Sequence, residues 1–125
     1  MYVIICGGRE YILTPEDYAW LDERISALAI TVALVGSQSE ADHRARVWME
    51  RRGVATATFW PNFEYHGKPG GPMRNARMLF WVVTMAQATG DQAGVLALPG
   101  GRGTADMVRQ AETYGVQVWR RAAGG

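Results

Sequence analysis

Gly94-Val95-Leu96-Ala97-Leu98-Pro99-Gly100-Gly101-Arg102-Gly103-Thr104-Ala105-Asp106 is the stretch on which the reading of this chain turns. Its apolar start predicts a strand over Val95 to Leu98. Met107 to Tyr114 then continues as a helix, and Gly115 stops it. A strand, a glycine turn and a helix start make the architecture of an anion site. Glycine lets the backbone approach a ligand closely and take positive φ. The unpaired N–H groups of a new helix point into the turn, and its dipole favours negative charge there. Thr104 adds a hydroxyl and Arg102 a positive charge. A bare turn rarely needs three glycines, so Gly100, Gly101, Gly103 and Thr104 are candidate phosphate ligands.

Upstream, strands and helices alternate. Tyr2 to Cys6 is a short β-branched run that ends at Gly7-Gly8-Arg9. Thr14-Pro15-Glu16-Asp17 starts a helix, with Thr14 as N-cap, Pro15 in the first position and acids in the first turn. Tyr18, Leu21, Ile25 and Leu28 give that helix one apolar face. Thr31 to Val35 is a second strand. Gly36-Ser37-Gln38-Ser39 is a loop in which Ser37 and Glu40 are spaced as a capping box. Ala41 to Arg52 is a helix with Ala41, Ala45, Trp48 and Met49 on one side, and Gly53 stands where a C-terminal cap belongs. Val54 to Phe59 is a third strand. Pro72 opens a helix running to about Ala88, with Met73, Ala76, Phe80 and Val83 as its expected buried stripe. Val116 to Trp119 is the fifth strand, and Arg120 to Gly125 is expected to be a frayed tail.

This alternation predicts an α/β fold, a Rossmann-like three-layer sandwich with a five-stranded parallel sheet. Right-handed crossovers leave few topologies, and the expected strand order is 3-2-1-4-5. In that order the first and fourth strands meet where the winding reverses, and ligands bind beyond the carboxyl ends of strands at such a switch point. Gly7, Gly8 and Arg9 therefore share a crevice with Pro99 to Thr104, and Gly36 and Ser37 border it.

The chain of 125 residues fits one domain, expected over residues 1–119, and 48% hydrophobic residues suffice for one core. A net charge of +1 gives no global field that would draw nucleic acid or a membrane surface. A single cysteine, Cys6, excludes an internal disulfide and is compatible with a reducing cytoplasm. No apolar run approaches the roughly 20 residues of a membrane span, and the start lacks the character of a signal peptide. The five tryptophans read first as core and interface packing.

Two nucleotide motifs are missing. No Gly-x-Gly-x-x-Gly follows the first strand, and no Gly-Lys-Ser/Thr exists, which argues against a usual nicotinamide dehydrogenase and a P-loop ATPase. One cysteine and two distant histidines argue against zinc, so no metal or cofactor is expected. Ser37, Asp42 and His43 are too close in sequence to read as a triad. Arg74 and Asn75 lie in the first turn of the third helix. An arginine there opposes the dipole, which hints at a bound anion. Trp60 to Gly71 is long for an irregular segment and suggests a functional loop. Trp60, Phe63, Tyr65 and His66 are its candidates to cover a base.

Three motifs in order carry a resemblance: Cys6-Gly7-Gly8-Arg9-Glu10-Tyr11, Gly70-Gly71-Pro72-Met73-Arg74-Asn75-Ala76-Arg77-Met78, and Pro99-Gly100-Gly101-Arg102-Gly103-Thr104-Ala105-Asp106-Met107. Together they resemble the small YspA-type family of the SLOG superfamily, which is related to the Lonely Guy phosphoribohydrolases and to DprA-like proteins. The resemblance implies a Rossmann-like fold, a nucleotide or nucleotide-derived ligand, and a bacterial or phage setting. It departs in two places. The family's Gly-Gly-Ala-Arg-Gly-Ala-Asp reads Gly36-Ser37-Gln38-Ser39-Glu40-Ala41-Asp42 here. The Lonely Guy glutamate of Pro-Gly-Gly-x-Gly-Thr-x-x-Glu is matched by Met107, which cannot do a carboxylate's work. Arg74 matches the enzymes' arginine, whereas Asn75 replaces their lysine.

The binding half of the enzyme motif is kept and the chemical half is damaged. The expectation is a domain that senses or sequesters a phosphorylated nucleotide without catalysis. The alternative is an N-glycosidic hydrolase in which Asp106 or Glu112 replaces the missing glutamate and Arg74 orients substrate. Related folds also imply a homodimer or higher homo-oligomer, here through the third helix with Phe80 and Trp81.

Overall fold

Apolar runs of five residues become strands here because both of their faces find cover. A computed structural model describes residues 1–37, 39–60 and 70–122. The elements are β1 (Tyr2–Cys6), α1 (Pro15–Leu28), β2 (Val32–Gly36), α2 (Glu40–Arg51), β3 (Ala55–Phe59), α3 (Gly70–Thr89), β4 (Ala93–Ala97), α4 (Arg102–Thr113) and β5 (Gln117–Arg120). The strands form one parallel sheet in the order β3-β2-β1-β4-β5. This is the expected fold class and strand order.

Side chains alternate across a strand, so each run divides between two cores. Val3, Ile5, Ala33, Val35 and Leu96 face α1 and α2, packing on Leu21, Ala41, Ala45 and Met49. Ile4, Leu34 and Val95 face α3 and α4, packing on Met78, Leu79, Val82, Met107 and Ala111. A fully buried side chain of this size contributes about 1.5–3 kcal/mol. Trp20, Trp48 and Trp119 pack on the first core and Trp81 on the second, as their packing reading requires. Trp119 lies so close over β4 that a Cβ on Gly94 would come within 2.5 Å of it.

The N-terminus of α1 forms as expected. Thr14 and Asp17 make a reciprocal capping box, with Pro15 in the first turn. Asp17 does more than cap. It is fully buried and accepts from Tyr11 Oη at 2.6 Å and from Thr14 N at 2.8 Å. Arg121 Nε lies 3.1 Å from its other oxygen. Burial acts to raise the Asp17 carboxyl, but these partners outweigh it and hold the group below its ordinary value.

Four local expectations change. The cap of α2 is Ser39, whose Oγ accepts from Asp42 N at 2.8 Å, and not Ser37 with Glu40. The buried stripe of α3 is Asn75, Met78, Leu79, Val82 and Ala86, so Met73 and Phe80 are exposed. The apolar run Met78–Val83 allows more than one helical phase, and the phase adopted turns the aliphatic Leu79 and Val82 inward. The glycine turn belongs partly to α4, which begins at Arg102. Among the described glycines, positive φ occurs at Gly53, Gly90 and Gly115 and not in that turn. Finally, Arg120 ends β5 and Arg121 N donates to Ala97 O at 2.8 Å, so the folded unit runs through Arg121.

Candidate functional site

The site begins where β1 and β4 end side by side. Cys6 pairs with Ala97 in register, and two further bonds zip the chains beyond the sheet. Leu98 N donates to Cys6 O at 2.8 Å, and Gly8 N donates to Pro99 O at 2.9 Å. This contact needs glycine on both sides. A Cβ on Gly100 would lie 2.8 Å from Gly8 N and 2.2 Å from Thr104 Oγ1, and one on Gly8 would lie 3.1 Å from Gly100 Cα. Gly7 has the same role toward α2, since its Cβ would meet Ala41 Cβ at 2.7 Å. Glu40 N on Arg9 O at 2.9 Å then ties the first loop to α2.

Beyond this seam the backbone opens. A Cβ on Gly101 or Gly103 would meet no atom of another part of the described chain within 4 Å. Gly101 is the N-cap of α4 and offers no side chain to its N–H groups, and the first turn of that helix holds no acid. Thr104 Oγ1 is buried without a hydrogen-bond partner. These features edge a cleft of about 500 Å³. Gly7, Gly8, Arg9, Arg74, Asn75, Gly101, Arg102, Gly103, Thr104 and Asp106 all line it.

Other candidates stand elsewhere. Pro99 and Gly100 form the seam behind the cleft, and Gly100 with Gly101 borders a second hollow of about 310 Å³ across the loop. Gly36 is buried behind Arg74, where a Cβ would lie 2.3 Å from Arg74 Nη1. Neither Gly36 nor Ser37 is among the described residues lining the cleft. Trp60 is 66% exposed, and its carbonyl accepts from Arg77 Nη2 at 2.6 Å. Phe63, Tyr65 and His66 lie outside the described residues.

Hydrogen bonds sort the polar residues into those that hold the site and those left open. Arg74 Nε donates to Asn75 Oδ1 at 3.0 Å. Asn75 Nδ2 in turn donates to Asp106 Oδ2 at 3.0 Å and to Gly103 O at 3.3 Å. Asp106 also accepts from Gln110 Nε2 at 2.8 Å and pairs with Arg109. Asn75 and Asp106 therefore clamp α3 to α4 and aim the Arg74 fork. Glu112 pairs with Arg120 at 2.9 Å and borders the second hollow. Met107 is 1% exposed and packs in the core beside Ile4 and Met78. The position where the resemblance expects a glutamate thus faces the sheet.

Sequence reasoning missed the opposite wall. Cys6, Ser39, Asp42, Gly71 and Pro72 also line the cleft. Asp42 is 6% exposed, and its Oδ1 has no hydrogen-bond partner. Burial pushes its carboxyl up to about 6, against the opposing pull of Arg74 and a hydrogen bond with Ser39. Desolvation likewise lowers Arg74 from its ordinary value, and Asp42 opposes that shift. Arginine begins so far above neutrality that it remains a cation. Desolvation and the nearby Asp42 raise the Cys6 thiol far above its usual range, which makes it an inert neutral group here and not a nucleophile. An acid in a first helical turn ordinarily serves the dipole, so nothing local in the sequence marked Asp42 as facing a cleft.

Among the described residues no group of three or more His, Cys, Asp or Glu is placed to hold a metal ion. No described helix is long and apolar enough to cross a membrane. The arrangement can bind an anion at the open start of α4, with Arg74, Arg9 and Arg102 lining the same cleft. Of its two buried carboxylates, Asp106 is engaged by its partners while Asp42 keeps one oxygen unpaired. No family model matches this sequence, and no curated protein matches it.

Proposed function

We propose that the cleft binds a phosphorylated nucleotide or nucleotide-derived signalling ligand and holds it, as a sensor or a sequestering protein of the SLOG type. The observation that carries this reading is the open start of α4. Its donors are uncapped, its two outer glycines leave free space, and Arg74 lines the same cleft with Nη1 unbonded. A phosphate supplies the missing acceptor to each of these groups. The cleft volume suits a ligand larger than phosphate alone. Holding is favoured over cutting because Asp106 is engaged by three partners and Glu112 lies outside the cleft.

Calorimetry against mono-, di- and cyclic nucleotides and ADP-ribose derivatives tests the reading. At least one is expected to bind, and Arg74→Ala is expected to weaken it by about tenfold or more through loss of a charge-assisted bond. Silence across the panel removes the proposal. The second reading is cleavage of an N-glycosidic bond, and the observation that favours it is Asp42, a buried acid in the cleft that titrates near neutrality. Free base released from a nucleoside monophosphate supports that reading, and nucleotide recovered unchanged after long incubation excludes it.

A further inference from the structure

Two groups of opposite charge lie together in the cleft wall, and each leaves a bond unmade. Asp42 comes from the first turn of α2 and Arg74 from the first turns of α3. They converge on Gly36, where a Cβ would lie 2.3 Å from Arg74 Nη1 and 2.8 Å from Asp42 Oδ2. Glycine at this position therefore keeps both side chains in one hollow. They do not satisfy each other there, since Asp42 Oδ1 and Arg74 Nη1 are both buried without a hydrogen-bond partner. Arg74 Nε is already used on Asn75.

A buried charge with an unmade hydrogen bond is costly, so these atoms favour an occupant that completes both. Nη1 requires an acceptor, and an anionic oxygen is the strongest. Oδ1 requires an O–H or N–H. An anion with no proton to donate, such as sulfate, meets only the first need, and the carboxylate repels it. The cleft is thus polarised. Its α4 end, with Arg102 and the uncapped helix start, draws the anion, while its α2 wall draws a donor. Around Asp42 stand Arg74, the Ser39 hydroxyl and the neutral Cys6 thiol, so Arg74 is the one charge among them.

We propose that Asp42 and Arg74 form a two-point subsite selecting ligands that carry a hydrogen-bond donor beside their anionic group, with Asp42 accepting from the donor and Arg74 holding the anion. The proposal rests on the nucleotide reading and deepens it. A nucleotide has such donors in two places, the ribose hydroxyls and the base N–H groups.

Calorimetry of wild type and Asp42→Asn with sulfate, ribose 5-phosphate, adenosine 5′-monophosphate and its 2′- and 3′-deoxy forms tests it. In wild type, removing the donor that Asp42 reads is expected to weaken binding by about tenfold or more. The Asp42→Asn variant is expected to shift two ligands in opposite directions. Sulfate binds about threefold or more tightly once the repelling charge is gone, while the advantage of the nucleotide over sulfate shrinks by about tenfold. A variant that merely folds badly loses both ligands together. Sensitivity to a deoxy sugar identifies ribose as the donor. An effect of the substitution on the nucleotide that is absent for ribose 5-phosphate identifies the base. If Asp42→Asn changes nucleotide and sulfate affinities by the same factor, or if wild type binds sulfate as well as nucleotide, the subsite is refuted while the anion site stands. If wild type binds none of the five, the subsite is refuted, while the nucleotide reading falls only if the wider nucleotide panel is silent too.

Discussion

Gly100 and Gly103 stand three residues apart in one loop and are glycine for opposite reasons. The inner half of the loop is crowded. Gly100 touches the backbone of Gly8 and the side chain of Thr104, and this contact joins the ends of β1 and β4. The outer half is open among the described residues, since a Cβ on Gly101 or Gly103 would meet none of their atoms across the turn within 4 Å. A glycine pressed against protein is there for folding. A glycine facing open space at a helix start, with no atom of the described residues to exclude a side chain, leaves room for something else. Three glycines in a row of five thus divide between making the seam and leaving the cradle free.

The largest expected effect comes from breaking the crowded half. Gly100→Ala puts a methyl within 2.2 Å of Thr104 Oγ1 and 2.8 Å of both Thr104 Cβ and Gly8 N. Neither neighbour can withdraw without moving backbone. The change is expected to destabilise by about 3 kcal/mol, the upper end of the overpacking range. Urea unfolding measures it through the midpoint. An alanine variant as stable as wild type would show that the seam yields easily, and the division between the two halves would fail.

A smaller effect tests whether the α2 wall belongs to the crowded half or to the open one. The folded Asp42 carboxyl titrates at about 6 against an unfolded value of 3.8. The native state therefore holds this proton more tightly than the unfolded chain. Stability contributed at Asp42 is highest below the unfolded value and falls as pH rises, until the native carboxyl has ionised near pH 6 to 7. Asp42→Asn abolishes that loss. The stability gap in favour of the variant is expected to widen by about 1 kcal/mol between pH 5 and pH 8, read by urea unfolding at each pH. A gap that stays constant would mean that Asp42 is hydrated like a surface acid.

The frame of the site was legible because its signals are local. A β-branched run, a proline after a threonine and a glycine after a strand each have a reading that needs no partner. Right-handed crossovers leave few strand orders, and the order 3-2-1-4-5 sets the Gly7-Gly8-Arg9 and Pro99 to Thr104 loops side by side. The rest depended on phase and distance. In α3 the run Met78-Leu79-Phe80-Trp81-Val82-Val83 is apolar at every position, so periodicity could not choose between Phe80 and Leu79 as the buried residue. Asp106 looked available because its three partners come from two helices. Asp42 looked ordinary because its neighbour Arg74 is distant in sequence and reaches it only across the sheet end. Met107 looked like a lost catalytic group, yet its side chain turns to Ile4 and Met78.

The smallest effect on stability is the most discriminating for the open half. Gly103 lies inside α4 without positive φ, so alanine fits its backbone. Replacing a helical glycine with alanine stabilises by about 0.5–1 kcal/mol, chiefly because the unfolded chain loses freedom. The new methyl points into space that no atom of the described residues claims. Gly103→Ala is therefore expected to raise the urea midpoint while weakening phosphate or nucleotide binding several-fold, both measured on one preparation. Gain of stability with loss of ligand is the signature of a position kept small for an occupant. If the variant is more stable and binds as well as wild type, the space beside Gly103 is solvent only, and the anion must sit nearer Arg74 and Thr104.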